Sequence, residues 1–160
     1  MSKILTTEQA IELSKKLRRQ DKTLVLTGGC FDILHIGHIN FLNKAKEEGN
    51  FLFVMLEHDN SIKRNKGEHR PLNTQSDRAA LLASLEMVDY VIIMPDNSSN
   101  SFYDGLINQI KPAIIATTAG DPYRMHKERQ AKTIGARVVD VIQPVHNQST
   151  TKLISILKEL

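Results

Sequence analysis

Two glycines, one carboxylate and two histidines in a single short stretch are the residues best suited to chemistry. Gly28 and Gly29 come first, and Asp32, His35 and His38 follow. Glycine lets the backbone approach a ligand closely because it has no Cβ. Side chains three apart at the start of a helix point the same way, so the two imidazoles could donate to phosphate oxygens or to a leaving pyrophosphate. The pattern indicates a site that handles phosphate.

A strand, a glycine turn and a helix must position these residues. Residues 24–26 form a short apolar run of the kind that becomes a buried strand. From Ile39 onward the apolar residues are spaced by three and four, as in a helix with one buried face. The start of such a helix presents unpaired N–H groups, which suit phosphate. We therefore expect a phosphate-binding turn at the carboxyl end of the first strand of an open sheet.

Two other interpretations of the histidines stay open. His35 and His38 could simply be polar residues that cap the helix start. They could also bind a metal ion together with Cys30 and Asp32, although no partner cluster stands elsewhere in the chain. The glycine fingerprint of dinucleotide-binding proteins and the Walker loop are both absent, because the later glycine and a Gly-Lys-Ser/Thr run are missing.

The sequence Gly-Cys-Phe-Asp at residues 29–32, followed by His-Ile-Gly-His at residues 35–38, resembles the signature of the nucleotidyltransferase superfamily that carries the His-x-Gly-His motif. The resemblance implies a Rossmann-like α/β fold. It implies transfer of a nucleotidyl group from a nucleoside triphosphate to a phosphate monoester, with release of pyrophosphate and usually with Mg²⁺. It also implies that His35 and His38 stabilise the triphosphate in the transition state, and that Asp32 faces the acceptor phosphate or the metal region.

Further segments resemble one subfamily more closely. Residues 63–73, 77–78 and 85–89 look like the adenylyltransferase domain of the bacterial ADP-heptose synthesis enzymes. The Ser-Thr-Thr segment at 149–151 looks like the closing segment of those enzymes and of the glycerol-3-phosphate cytidylyltransferases. The resemblance implies that ATP is the favoured nucleotide and that the acceptor is a sugar or polyol phosphate, such as D-glycero-D-manno-heptose 1-phosphate. CTP with glycerol 3-phosphate is the alternative.

The resemblance also supplies site residues. A lysine on the helix after the glycine turn, Lys44 or Lys46, is expected to help the histidines with the phosphates. The expected nucleotide contacts are Thr27, Gly28, Gly29, Cys30, Phe31, Gly37, His38, Arg78, Gly120, Asp121, Ser149, Thr150 and Thr151. The expected acceptor contacts are Asp32, Glu57, Lys66 and Arg70. Glu57 follows an apolar strand, and polar residues at such strand ends border the ligand sites of open α/β sheets.

The turn after the fourth expected strand departs from the heptose enzymes, which carry Lys-Gly-Gly-Asp-Tyr there. Residues 117–123 are Thr-Thr-Ala-Gly-Asp-Pro-Tyr, so the glycine and the aspartate are kept while the lysine is missing. This segment is expected to contact the base and the ribose. The departure therefore leaves the choice of base open and motivates a second hypothesis, a nucleotide-binding regulator without turnover.

Strands alternate with helices along the whole chain, which predicts a Rossmann-like α/β domain with a parallel sheet. Five strands are expected, with helices on both faces, at residues 24–26, 51–56, 88–94, 113–116 and 137–142. Residues 1–20 are expected to form an N-terminal helix, and residues 21–160 the core of the same single domain. Residues 61–73 are polar and basic, which predicts a flexible loop that closes over phosphates.

Composition limits the classes of partner. The chain has 160 residues and a net charge of +3, which suits small anionic substrates. No nucleic-acid partner is expected, because aromatic residues are too few to stack bases beside the basic segment. One cysteine allows no intrachain disulfide, and no apolar run approaches the roughly 18 residues of a membrane span, so we expect a cytoplasmic protein without membrane contact. The family and the commonness of two-fold assemblies predict a homodimer.

Overall fold

The computed structural model describes residues 2–96, 98–144 and 150–158. Its strands are β1 (Ile4–Leu5), β2 (Leu24–Gly29), β3 (Phe51–Leu56), β4 (Tyr90–Ile93), β5 (Ile114–Thr118) and β6 (Arg137–Ile142). Its helices are α1 (Thr7–Arg19), α2 (Ile36–Glu47), α3 (Asp59–Lys66), α4 (Gln75–Ala83), α5 (Asn100–Ile110), α6 (Arg124–Ile134) and α7 (Thr150–Lys158). In these parts of the chain, no helix has the length and apolar character needed to cross a membrane.

These strands form one parallel sheet in the order β1-β4-β3-β2-β5-β6. The predicted α/β class and the parallel sheet are confirmed. The sheet has six strands instead of the expected five, because Ile4 and Leu5 pair with Val91 and Ile92 at its edge. A strand of two residues is too short to leave an alternating pattern in the sequence, so only its pairing reveals it.

Helices cover both faces of the sheet, as predicted. On one face, Leu13 of α1, Leu106 of α5 and Ala131 of α6 join the buried side chains of the strands. On the other face, Leu42 of α2 and Leu82 of α4 do the same. The middle strands are therefore covered on both sides, which is why β3 is an unbroken apolar run in the sequence.

Residues 59–66 form a helix where the sequence predicts a loop. His58 caps this helix, because its Nδ1 accepts a hydrogen bond from the Asn60 N–H at 3.1 Å. Ile62 is the one buried residue of the helix. A helix with a single buried side chain has no apolar period, so its polar sequence is indistinguishable from that of a surface loop.

The strand order reverses at β2, and this reversal positions the site. From β2 the chain continues to β3 on one side, whereas β5 pairs with β2 on the other side. A reversal of this kind opens a crevice outside the carboxyl ends of the strands, where open α/β sheets bind their ligands. The glycines at the end of β2 and the threonines at the end of the neighbouring β5 both line this crevice.

Candidate functional site

A cavity of about 540 Å³ opens at this crevice. Its walls come from the end of β2, the start of α2, the turn after β5 and the end of β6. The predicted site residues that line it are Thr27, Gly28, Gly29, Cys30, Phe31, His35, Gly37, His38, Gly120 and Asp121. The first eight are neighbours in the sequence, whereas the last two reach the same cavity only through the pairing of β2 with β5.

His35 and His38 lie together at the start of α2. Their ring centroids are 3.8 Å apart, and the His38 ring also packs against the Phe31 ring at 5.2 Å. His35 is the N-cap of the helix, because its Nδ1 accepts a hydrogen bond from the Gly37 N–H at 3.1 Å. The capping interpretation is therefore confirmed for His35. Since its Nδ1 is an acceptor, the proton of a neutral ring lies on Nε2, which leaves that N–H as a donor for a ligand.

Burial favours the neutral form of both imidazoles. Burial lowers the pKa of His35. Burial, followed by the nearby His35 and Lys66, lowers the pKa of His38 to about 4. A neutral imidazole has one donor and one acceptor nitrogen. The Nε2–H of His35 can therefore donate a hydrogen bond to an anion without the ring first carrying a positive charge, whereas the His38 ring also has a hydrogen bond to the Ile33 backbone, which raises its pKa.

The backbone that links β2 to α2 is tightly folded. Phe31 has a positive φ of 46°, a conformation that residues with a side chain adopt rarely. A Cβ added at Gly29 would lie 3.1 Å from the Phe31 ring, closer than such contacts normally are. Glycine at position 29 therefore lets the Phe31 ring turn inward and support His38.

Asp32 is a structural residue and does not line the cavity, contrary to the prediction that it faces the acceptor or the metal. It is 1% exposed, and its carboxylate accepts a hydrogen bond from Arg70 Nε at 2.7 Å. It also accepts from the N–H groups of Leu72 and Asn73, at 2.8 and 3.1 Å. Asp32 and Arg70 together hold the segment before α4 against the glycine turn. The expected substrate contact of Arg70 stays a prediction, because its Nη2 is buried with no hydrogen-bond partner among the described residues.

Arg78 is also internal and does not line the cavity, so its expected contact with the nucleotide stays a prediction. Its side chain is fully buried. The guanidinium donates to the carbonyl oxygens of Cys30, Glu57 and Asn73, at 2.6, 2.9 and 3.1 Å, and to the Asp59 carboxylate at 2.6 Å. Arg78 therefore joins the ends of β2 and β3 to the starts of α3 and α4.

A second group of polar side chains flanks Cys30 on its β3 side. The Glu57 carboxylate lies 3.5 Å from Cys30 Sγ, and Lys66 is close enough to act on the Cys30 thiol electrostatically. Burial, and then the charge of Glu57, raises the pKa of Tyr103 to about 12, so this phenol belongs to the same group. The sequence does not reveal Tyr103, because a tyrosine within the apolar face of a helix looks like a core residue.

Cys30 is expected to resist alkylation in the folded protein. Burial and the nearby Glu57 raise the pKa of its thiol to about 11, and only the thiolate is nucleophilic. At pH 8 we expect iodoacetamide to label the folded chain roughly a hundredfold more slowly than the unfolded chain in urea, with a rate that still rises at higher pH. Cys30 is the only cysteine, so mass spectrometry reports it directly. Equal labelling rates in the two states would contradict this.

The turn after β5 brings Asp121 to the cavity, and the following helix α6 brings a lysine that the sequence does not predict. Gly120 has a φ of +75°, in the left-handed region that favours glycine. Lys127 of α6 donates to the Thr117 hydroxyl at 2.9 Å and to the Asp121 carboxylate. Burial opposes the ionisation of Asp121, but hydrogen bonds from Lys127 and Thr117 keep its pKa below the ordinary value. No pattern in the sequence signals Lys127, which is one of four lysines and arginines along α6.

Lys44 and Lys46 are not brought to the histidines. Both lie in the last turn of α2, and a rise of 1.5 Å per residue puts them about 9–12 Å along the axis from His38. Lys44 pairs with Glu47 at 2.8 Å, and Lys46 pairs with Asp89 at 2.6 Å. These lysines therefore lie at the opposite end of α2 from the histidines, and this arrangement does not support the expectation that they help with the phosphates.

The closing Ser-Thr-Thr segment is described only in part. Ser149 lies outside the described residues. Thr150 begins α7, and Thr151 is exposed on that helix. Contacts between these residues and a nucleotide therefore stay a prediction.

The metal-site interpretation of the histidines is wrong. Within residues 2–96, 98–144 and 150–158, no group of three or more His, Cys, Asp and Glu side chains is arranged to hold a metal ion. Asp32 is engaged by Arg70, and His35 Nδ1 is engaged by the Gly37 N–H.

The sequence of this chain is similar to that of a known protein family. Residues 26–156 match the model of a family described as cytidylyltransferase-like. The bifunctional protein HldE of Nitratiruptor sp. is 46% identical over 147 residues, and that of Campylobacter fetus is 43% identical over 150 residues. These matches cover 91% and 92% of this chain but only 30% and 31% of the relatives. The chain thus spans less than a third of the length of these curated relatives.

Solved structures agree on the fold. The crystal structure of the lipopolysaccharide core biosynthesis protein from Thermoplasma volcanium matches with a TM-score of 0.61 at 27% identity, over 80% of this chain and 99% of that chain. Pantoate-beta-alanine ligase from Francisella tularensis matches with a TM-score of 0.64 at 18% identity, over 91% of this chain and 67% of that chain. The second similarity, at its low identity, bears on the fold alone.

Proposed function

We propose that this chain, which belongs to the cytidylyltransferase-like family, transfers a nucleotidyl group from a nucleoside triphosphate to a sugar or polyol phosphate and releases pyrophosphate. ATP is the favoured nucleotide and heptose 1-phosphate the favoured acceptor, because the basic segment and the α4 region resemble ADP-heptose synthesis enzymes. The similarity to HldE proteins supports this choice. CTP with glycerol 3-phosphate is the alternative pair.

One observation carries the proposal: two neutral imidazoles at a helix start stand beside a glycine-lined cavity. The rings of His35 and His38 are 3.8 Å apart and line the same wall. Donors held in place where charge develops stabilise a transition state more than mobile water does. A triphosphate whose α-phosphate lies at this wall would meet these donors and the start of α2 together.

The proposed reaction balances without a covalent enzyme intermediate. An oxygen of the acceptor phosphate attacks the α-phosphorus, and a new P–O bond forms as the bond to the bridging oxygen breaks. Pyrophosphate leaves with that electron pair. The part of the protein is to align the two substrates and to stabilise the charge on the phosphate oxygens.

The acceptor is proposed to lie on the β3 side of the cavity. Gly120 and Asp121 line the β5 side, where the nucleoside is expected. Attacking and leaving oxygens stand roughly in line in phosphoryl-transfer reactions, so the acceptor must approach from away from the leaving group. Lys66 could then contact the acceptor phosphate, and Glu57 could accept from a hydroxyl of the sugar.

Mg²⁺ is proposed to bind with the triphosphate. Mg²⁺ is commonly held by one or two carboxylates together with substrate phosphates, not by a cage of protein ligands. The carboxylate of Asp121 is engaged by Lys127, and the described residues contain no larger ligand group, so we assign no protein ligand to the ion. When bound, it would neutralise part of the phosphate charge.

Three further expectations from the sequence stand as proposals. Residues 1–160 form a single nucleotidyltransferase domain, two copies form a homodimer, and the protein works in the cytoplasm. The resemblance supports each of them.

A pyrophosphate-release screen tests the proposed function. ATP, CTP, GTP and UTP with Mg²⁺ would each be combined with heptose 1-phosphate, glycerol 3-phosphate and other sugar and polyol phosphates. We expect release that depends on both substrates and is highest for ATP with heptose 1-phosphate. Binding of ATP in calorimetry without release from any pair would favour the nucleotide-binding regulator instead.

A further inference from the structure

The side chains of Asp121 and Lys127 form a charged pair on the cavity wall. Lys127 Nζ donates to Asp121 Oδ2 and to the Thr117 hydroxyl, while that hydroxyl donates to Asp121 Oδ2 at 2.5 Å. The Tyr123 N–H donates to Asp121 Oδ1 at 2.8 Å. Both charged side chains are largely buried, with exposures of 23% for the lysine and 13% for the aspartate.

Asp121 and Lys127 are the residues of the described cavity wall that carry formal charges. Among the described lining residues, Asp121 is the only carboxylate and Lys127 the only lysine or arginine. The proposed substrate is a polyanion, and an uncompensated carboxylate beside it would repel it. The ammonium of Lys127 removes this repulsion while leaving the carboxylate in place.

Asp121 retains the capacity to accept one more hydrogen bond. A carboxylate offers about four lone-pair positions. The three donors above occupy two positions on Oδ2 and one on Oδ1. Oδ1 can therefore accept from an N–H or O–H group that enters the cavity.

We propose that Lys127 is a positioning residue that holds the Asp121 carboxylate in place as an acceptor for a hydrogen-bond donor of the nucleoside. The inference rests on the proposed function and extends it to a residue outside the sequence motifs. The turn at 117–123 itself contains no lysine, and α6 supplies the ammonium from the next element. The shared chemistry of the ligand is a donor, either a ribose hydroxyl or an exocyclic amine.

A merely structural role for Lys127 is the rival explanation, because ion pairs also anchor α6 to the sheet. Arg124 pairs with Asp140 of β6, and Ala131 is the one buried residue of the helix. Loss of Lys127 could then loosen α6 without any effect on the nucleotide. The test must therefore measure nucleotide affinity separately from thermal stability.

The test compares Lys127→Met, Lys127→Arg, Asp121→Asn and the double variant Lys127→Met/Asp121→Asn. Affinity for a non-hydrolysable ATP analogue with Mg²⁺ is measured by calorimetry, with kcat, KM and Tm in parallel. Lys132→Met, an exposed lysine on the same helix, is the matched control. We expect Lys127→Met to weaken binding about tenfold, mostly as a change in KM, and Lys127→Arg to restore most of the loss.

The double variant decides how Lys127 acts. If its role is to compensate Asp121, Lys127→Met should weaken binding much less in the Asp121→Asn background than in the wild type. An equal loss in both backgrounds would overturn the proposal in favour of a direct contact with the nucleotide. A lower Tm with unchanged affinity would overturn it in favour of a structural role.

Two nucleotide analogues identify the donor. ITP lacks the exocyclic amine of ATP, and 2′-deoxy-ATP lacks one ribose hydroxyl. Asp121→Asn should reduce the ratio of the affinity for ATP to the affinity for one of these analogues. If both ratios are the same as in the wild type, the contact between Asp121 and the nucleoside is contradicted. Calorimetry measures binding and needs no turnover. A wild type that binds ATP without releasing pyrophosphate would therefore refute the proposed function, while the affinities of the variants would still test the role of Lys127.

Discussion

Replacing His38 with alanine is expected to lower kcat by about 10²–10³-fold, a loss of about 2.7–4 kcal/mol in transition-state stabilisation. The ring lines the cavity, packs against His35 and Phe31, and is neutral in the free protein. Alanine removes its N–H donor from the position where phosphate charge is proposed to develop. His38 is a cleaner test than His35, because alanine at 35 would also remove the helix cap, at a cost of about 1 kcal/mol.

Pyrophosphate release with saturating substrates measures this effect, and circular dichroism shows whether the fold is kept. His38→Asn keeps a hydrogen-bond donor on a smaller side chain. It therefore shows whether lost turnover in His38→Ala comes from the missing donor or from a packing defect. His126→Ala replaces an exposed histidine of α6 that does not line the cavity and serves as the matched control. Turnover of His38→Ala close to that of the wild type would refute the proposed role of the imidazole.

Replacing Arg78 with methionine is expected to destabilise the protein by about 3–5 kcal/mol. Its guanidinium is fully buried and donates to three carbonyl oxygens and the Asp59 carboxylate. Methionine fills much of the volume but leaves these acceptors unpaired, and a buried acceptor without a donor is costly. Lysine keeps the charge but cannot reproduce the fork of N–H groups, so Arg78→Lys should be destabilising as well.

Urea unfolding followed by circular dichroism measures this loss as a shift of the midpoint. Arg64→Met is the matched control, because its side chain is half exposed and pairs with Asp96 at the surface, where an ion pair contributes about 0–1 kcal/mol. We expect Arg78→Met to lower the free energy of unfolding far more than Arg64→Met does. An Arg78→Met variant of normal stability with greatly weakened nucleotide binding would show that Arg78 contacts the nucleotide directly.

The sequence alone determined the features that depend on neighbours in the chain. The alternation of apolar runs and helical periods predicted the parallel α/β sheet, because a strand buried on both faces and a helix buried on one have different periods. Eight residues between positions 27 and 38 line the cavity, since one strand–turn–helix unit fixes their relative positions. The strand β1 has only two residues and the helix α3 has one buried side chain, so neither leaves such a period. The sequence therefore predicts neither of them.

Only the tertiary structure decided what each charged side chain does. Asp32, Arg70 and Arg78 have the residue types of substrate contacts, yet each is buried among partners from other elements. Lys44 and Lys46 share a helix with the histidines but lie at its other end, whereas Lys127 comes from a distant helix to meet Asp121. A charge interacts with whatever lies within a few ångströms of it. Its partners are therefore set by which strands and helices meet, and sequence spacing fixes that only within a single element.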